Sequence, residues 1–209
     1  MNYISIFVIS FTIALSGALA PGPLLALVIS GSLRYGGKTG PIVIAGHSVL
    51  EIGMVSILAL GLGRIINNPE IIKIISISGA LILLYSGFRM FLSLSKVNID
   101  TLTLQNKGGR HSLLFFQGIT MSIANPYWTV WWLSVGLGLL LSANEKGITG
   151  LIFFFTGHIL ADMLWYSFVS YSIGKSKRFI SIQLYKKIIS LCASIIILFG
   201  LYFGFSAFL

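Results

Sequence analysis

Two histidines and two acids carry the chemistry that this sequence offers. His47 is followed four residues later by Glu51, and His158 four residues later by Asp162. A glycine precedes each histidine, Gly46 and Gly157. On a helix, that spacing puts imidazole and carboxylate on one face. Imidazole exchanges protons near neutral pH and also ligates metals. The carboxylate beside it can hold a cationic group, carry a proton or complete a divalent-cation site. The plainer alternative is a histidine that only satisfies its neighbouring acid.

The surroundings of these pairs are apolar. The chain has 209 residues, 56% hydrophobic and 9% charged. Soluble domains carry about 25% charged residues, so this is an all-α integral membrane protein. Of the five acidic residues, Glu70, Asp100 and Glu145 fall between apolar segments, while Glu51 and Asp162 fall near the middle of two of them. At about 1.5 Å rise per residue they lie roughly 15–23 Å from their helix starts, near the bilayer midplane. An ionisable group there costs at least about 2.5–3.5 kcal/mol on insertion scales. Substrate or proton binding accounts for two such groups better than a purely structural pairing does. Nucleic acid is excluded as a partner, because the net charge of +9 lies between apolar segments and points to lipid. The single Cys192 allows no intramolecular disulfide and no cysteine metal site. No phosphate-binding loop, redox motif or catalytic triad is present, so neither an enzyme nor a cofactor is expected. An intramembrane hydrolase would lack a motif, and a passive scaffold would leave the acids unexplained.

Six apolar segments must position these groups: Tyr3–Ser32, Gly40–Gly63, Ile71–Ser95, Ser112–Leu141, Gly147–Tyr171 and Ile188–Phe208. Each reaches the roughly 20 residues that a spanning helix needs. Lysine and arginine fix the orientation. Arg64, Lys73 and Lys146 fall on the N-terminal side, and the other eleven on the opposite side. Basic loops stay cytoplasmic, which predicts a multi-pass protein of the cytoplasmic (inner) membrane with both termini outside. Arg89 sits about two turns inside its helix and can snorkel to the cytoplasmic surface. The polar stretch 96–111 is a cytoplasmic linker within a single transmembrane domain, 1–209. It separates repeat one, 1–95, from repeat two, 112–209. Three helices per repeat make the second enter from the opposite face, giving two inverted three-helix repeats. Ala18-Leu19-Ala20 resembles a signal cleavage site, but no positive charge precedes it and the first segment is read as retained.

Helices 1 and 4 are both interrupted by proline, at Pro21-Gly22-Pro23 and at Asn125-Pro126. Asparagine is a favoured N-cap and proline a favoured first helical residue. Both sites therefore read as the end of one half-helix and the start of another. Broken backbone within a bilayer is tolerated where it lines a cavity or is packed by protein. Half-helix starts attract anions, so these two suit the carboxylate of an amino acid. Plain proline kinks are the alternative. Tyr127, Trp128, Trp131 and Trp132 follow the second break, and Trp165 and Tyr166 follow Asp162. An aromatic face can hold an ammonium group. Trp165 is preferred for that role because it shares the face of Asp162. Gly36–Gly40 reads as a loop, and Gly200–Gly204 permits close helix approach within a subunit or in a homodimer.

The chain resembles the lysine-exporter (LysE/RhtB) family. The resemblance rests on Ala20-Pro21-Gly22-Pro23, on Gly37, Gly40, Gly46, Gly61 and Gly63, on Asn125-Pro126, and on Asp162 with Trp165 after Gly157. It covers nearly the whole chain. It implies a small inner-membrane exporter of amino acids or related metabolites, driven by an ion gradient. Glu51 is similar in position to an acid in helix 2 of the family's basic-amino-acid branch. His47 and His158 match no motif of the family, and Tyr127 stands where many members carry a basic residue. The resulting expectation is a proton-coupled secondary transporter. Pro21, Gly22, Pro23, Asn125, Pro126, Glu51, Asp162 and Trp165 would bind the substrate. Glu51, Asp162, His47 and His158 would carry protons. The alternative is a divalent-cation exporter using His47, Glu51, His158 and Asp162.

Overall fold

The computed structural model describes residues 1–19, 22–61, 69–94, 111–176 and 181–208. Pro21, Gly63 and the linker positions 96–110 lie outside these residues. The chain forms α1 (Tyr3–Ala18), α2 (Pro23–Tyr35), α3 (Thr39–Ala59), α4 (Pro69–Leu94), α5 (His111–Ile123) and α6 (Pro126–Trp131). A π-helical turn, Trp132–Gly136, joins α6 to α7 (Leu137–Asn144), followed by α8 (Gly147–Ser176) and α9 (Ile182–Ser206). No strand occurs among the described residues.

The helices α3, α4, α8 and α9 are each long and apolar enough to cross a membrane, and α1 with α2 makes a fifth if the bent pair is one span. The fourth expected segment is cut into α5, α6, the π turn and α7. None of these pieces is long enough to span alone. The outer faces of α3, α4, α8 and α9 carry exposed Val49, Ile52, Leu81, Phe88, Leu164 and Leu198, as a lipid-facing surface requires. Two boundaries differ from the sequence reading. Helix α9 starts at Ile182, because Ser181 caps it by accepting from the Leu184 amide at 3.2 Å. Tyr185, within this extra length, buries with Ile189 against Leu33. Helix α8 continues to Ser176, with Ile173 packed against Leu33, Tyr185 and Ile189 and Gly174 lying against Gly37 of the α2–α3 turn.

Both proline breaks are present. Gly22 is the extended N-cap of α2 and Pro23 its first residue. The axis of α2 turns 72° from that of α1. The second break closes α5 with Asn125 N–H donating to the Ser122 carbonyl at 3.1 Å. Pro126 then opens α6, where the Trp128 amide bonds the Asn125 carbonyl at 2.9 Å. Proline brings no N–H to a position whose donor would have no helical partner.

Glycines let the helices approach. Helix α3 packs along α5, α1 along α8, and α4 along α9. Gly46 of α3 lies against the Phe115 carbonyl, and Gly157 of α8 lies against the Phe7 carbonyl. The glycine before each histidine thus admits the first helix of the other half. The α2–α3 turn is pinned to α8 through Ser170. Its hydroxyl donates to the Gly37 carbonyl at 2.7 Å and accepts from the Gly40 amide at 2.9 Å. Gly36 ends α2 at φ 89°, a conformation glycine adopts freely. Gly40 is not in a loop but in the first turn of α3, against the Tyr166 carbonyl. Gly200 and Gly204 spend their close approach inside the subunit, on Ala80 and Leu84 of α4.

A Cβ at Gly46 would overlap the Phe115 carbonyl oxygen, whereas one at Gly53 would meet nothing within 4 Å. Gly46→Ala is expected to destabilise by about 1–3 kcal/mol through overpacking. Gly53→Ala should be neutral or stabilising by up to about 1 kcal/mol. Thermal unfolding of the two variants in detergent checks the contrast.

Candidate functional site

The two histidine–acid pairs meet. Gly46 and Gly157 bring α3 and α8 close to the opposite half's first helices, and the facing turns of α3 and α8 then carry the four side chains. His47, Glu51, His158 and Asp162 are 5%, 1%, 5% and 6% exposed. His47 Nε2 stands 2.9 Å from Glu51 Oε1, and His158 Nε2 stands 3.0 Å from the same oxygen. Asp162 Oδ2 lies 3.7 Å from His47 Nε2 and 3.6 Å from His158 Nε2. Each histidine therefore reaches its own helix's acid and the other's.

The region after the second break completes the arrangement. Trp128 Nε1 and Trp132 Nε1 each donate to Glu51 Oε1 at 3.3 Å. They sit on α6 and at the start of the π turn. Gly136 makes room for this, since a Cβ there would crowd both Trp131 and Trp132. Indole N–H is a donor only. Glu51 Oε1 thus faces four nitrogens from three elements. The Trp131 and Trp132 rings also flank His158, with centroids 5.1 and 5.2 Å away.

Proton positions follow from Ser122. Its hydroxyl donates to the Gly118 carbonyl at 2.8 Å, and in that arrangement its oxygen accepts from His47 Nδ1–H at 2.7 Å. With Nδ1 protonated, the short contact between His47 Nε2 and Glu51 Oε1 needs a further proton between them. Histidine and glutamate share that proton as one buried pair. Three atoms remain buried without a hydrogen-bond partner among the described residues around this cluster: Glu51 Oε2, His158 Nδ1 and Asp162 Oδ2. Such groups are costly unless a ligand or water meets them.

A cavity of about 220 Å³ adjoins the cluster. Of the residues expected at the site, Gly22, Pro23, His47, Glu51, Asn125, His158 and Asp162 all line it. Pro126 opens the helix directly after Asn125, and Pro21 lies outside the described residues. The volume falls below the roughly 300–1,000 Å³ of pockets for drug-sized ligands and suits a small metabolite. A second cavity of about 430 Å³ lies among α2, α4, α5 and α9, with Arg34 and Arg89 in its wall.

The description "LysE type translocator" matches residues 15–207. The chain belongs to the LysE type translocator family. Members of this family are transporters, not enzymes, as the sequence led one to expect, and the chain is a multi-pass membrane protein. It is also similar to the uncharacterized membrane protein YrhP of Bacillus subtilis (strain 168), at 27% identity over 93% of this chain and 96% of the relative. No solved structure matches it.

One expected residue is displaced in this LysE-type translocator. Trp165 does not line the cavity; it stacks on Phe168 with centroids 6.1 Å apart. Tyr166, on the next position, lines the cavity instead. Both flank the face of Asp162, and helical spacing cannot separate them. Ser122, Ala14, Trp128 and Trp131 also line the cavity. Ser122 gave no signal beyond its place four residues before Pro126, and Ala14, seven residues before Pro21, gave none. The indole donors were visible as aromatics after Asn125-Pro126, but not as partners of a carboxylate.

Trp132→Phe and Trp165→Phe remove the same ring atoms but differ in the fate of the N–H. Trp132 Nε1 bonds Glu51, and Trp165 Nε1 is buried without a hydrogen-bond partner among the described residues. The first is expected to cost about 1.5–3 kcal/mol beyond the second. Denaturant unfolding followed by far-ultraviolet circular dichroism checks the difference.

Proposed function

We propose that this translocator exports amino acids or related small metabolites carrying a primary ammonium group, by secondary active transport coupled to the proton gradient. The observation that carries the reading is a set of three buried polar atoms without a hydrogen-bond partner among the described residues, Glu51 Oε2, Asp162 Oδ2 and His158 Nδ1, beside one small cavity. Two of them are carboxylate oxygens, which take donors, and an ammonium group offers three.

The opposite wall suits a carboxylate. The first turn of α2 meets the cavity at Gly22, Pro23, Leu24 and Leu25. Its amides precede any carbonyl they could bond within the helix, and the helix dipole adds positive potential. Asn125 supplies a side chain from the other break. Arg34 and Arg89 in the second cavity would attract an anionic group on the cytoplasmic side. The pair His47–Glu51 would carry the counter-transported proton.

Alternating access fits a pair of inverted three-helix repeats, 1–95 and 112–209, joined by the linker 96–111. Counting α5 to α7 as one broken span gives six spans, in the cytoplasmic membrane with both termini outside. Matched contacts support the repeat: the Phe7 carbonyl on Gly157 and the Phe115 carbonyl on Gly46. Divalent-cation export is the second reading. It rests on His47, Glu51 and Asp162 offering ligand atoms within 4.8 Å of one another. Of the possible ligand atoms, His47 Nε2 and Glu51 Oε1 are already paired with one another at 2.9 Å, which favours the ammonium reading.

Proteoliposomes or inverted vesicles under an imposed proton gradient test the proposal. Uptake of a panel of labelled amino acids should reveal at least one substrate. Glu51→Gln and Asp162→Asn should each lower that uptake by about tenfold or more, the loss of roughly 1.4 kcal/mol. Unchanged uptake in both variants would remove these acids from the mechanism. Uptake of zinc or manganese in place of every amino acid would establish the second reading.

A further inference from the structure

The two histidines are not equivalent, and the difference lies one turn along a matched pair of contacts. On one side, Gly118 of α5 packs on the Val43 carbonyl of α3. Four residues further along both helices stand Ser122 and His47, joined by the 2.7 Å hydrogen bond at Nδ1. On the other side, the Ser10 hydroxyl of α1 donates to the Phe154 carbonyl of α8 at 2.7 Å. Four residues further along both of these helices stand Ala14 and His158, and both line the cavity. Where the first side has the hydroxyl of Ser122, the corresponding position on the second side is Ala14, whose side chain carries no donor or acceptor. His158 Nδ1 is accordingly buried with no hydrogen-bond partner among the described residues.

The tautomer follows. His158 Nε2 is held by Glu51 Oε1 at 3.0 Å. One carboxylate oxygen cannot supply a proton to both histidines while two indoles also donate to it. Nε2 of His158 therefore carries hydrogen, and in the neutral ring its Nδ1 then presents a lone pair. Asp162 Oδ2 and Glu51 Oε2 are the neighbouring acceptors in the same state.

We propose that Ala14 is the specificity-determining position of this cavity. By withholding the hydroxyl that Ser122 gives to His47, it keeps His158 Nδ1 as a bare acceptor that an ammonium N–H of the cargo fills. This rests on the ammonium reading above. Ala14→Ser would place a hydroxyl against Nδ1. Whether that hydroxyl donates to Nδ1 or draws a proton onto it, the free lone pair is lost. Ser122→Ala would make His47 the second histidine without a hydroxyl partner.

Nitrogen-15 magnetic resonance of histidine-labelled protein in lipid bilayers reads these states directly. The chain has three histidines. His111 is exposed at the start of α5 and is assigned by His111→Asn. The free protein should show a protonated Nδ1 at His47 and an unprotonated Nδ1 at His158. Ala14→Ser should move the Nδ1 signal of His158 alone, and Ser122→Ala that of His47 alone. Methylammonium should shift the Nδ1 of His158, and tetramethylammonium, equal in charge but without N–H, should not. In Ala14→Ser the methylammonium response should weaken about tenfold or more. A protonated His158 Nδ1 in the free protein, or an unmoved signal in Ala14→Ser, overturns the proposal. So does an absent methylammonium response, one that survives Ala14→Ser at full affinity, or an equal response to tetramethylammonium. If Ala14→Ser does not fold, the wild-type tautomers and Ser122→Ala still decide. The free-protein signals involve no transport, so a failed flux assay and a failed Ala14 assignment are distinguishable.

Discussion

One oxygen atom organises the interior of this transporter. Glu51 Oε1 sits between His47 and His158 and below two indole N–H groups. Its partners come from α3, α8 and the stretch that runs from α6 into the π turn. A carboxylate in an apolar bundle is tolerable when donors surround it. Here the donors also tie together elements distant in sequence, so the electrostatic requirement of one atom fixes how they meet. Removing the carboxylate would strand several N–H groups at once, each without water to turn to.

The glycines make that meeting sterically possible. Backbone carbonyls of Phe7 and Phe115 occupy the space where a Cβ of Gly157 or Gly46 would be. The histidine that follows each glycine is thereby set at a fixed depth. Close backbone approach and side-chain chemistry are thus parts of one device at each histidine. The breaks at Gly22-Pro23 and Asn125-Pro126 add the remaining wall of the cavity. At a 72° bend, α2 no longer continues the path of α1, so its start lies at the site and not beyond it.

Much of this was legible in the residues. Gly-His with an acid four residues on, twice, announced the cluster. Pro21-Gly22-Pro23 and Asn125-Pro126 announced the breaks, and the family resemblance is confirmed by the match over residues 15–207. Convergence of the pairs was not legible, because spacing within a helix says nothing of which helices face each other. Trp165 and Tyr166 illustrate the limit. They sit on either side of one helical face, and the neighbour Phe168 settles which turns inward. The start of α9 was missed because Lys186 and Lys187 looked like loop residues. Their neighbours Tyr185 and Ile189 are buried. The π turn had no sequence signal at all, since hydrophobic period cannot register one added residue.

That π turn has a geometric consequence for the cavity wall. A wide turn holds one residue more than an α-turn of the same pitch. Tightening it to α geometry would feed that residue along the helix and rotate α6 by roughly 100° relative to α7. Trp128 and Trp131 would swing away from the cavity, and Trp132 would leave Glu51. The far end of α7 would stay where it is. The helix thus holds one extra residue wound beside the buried carboxylate.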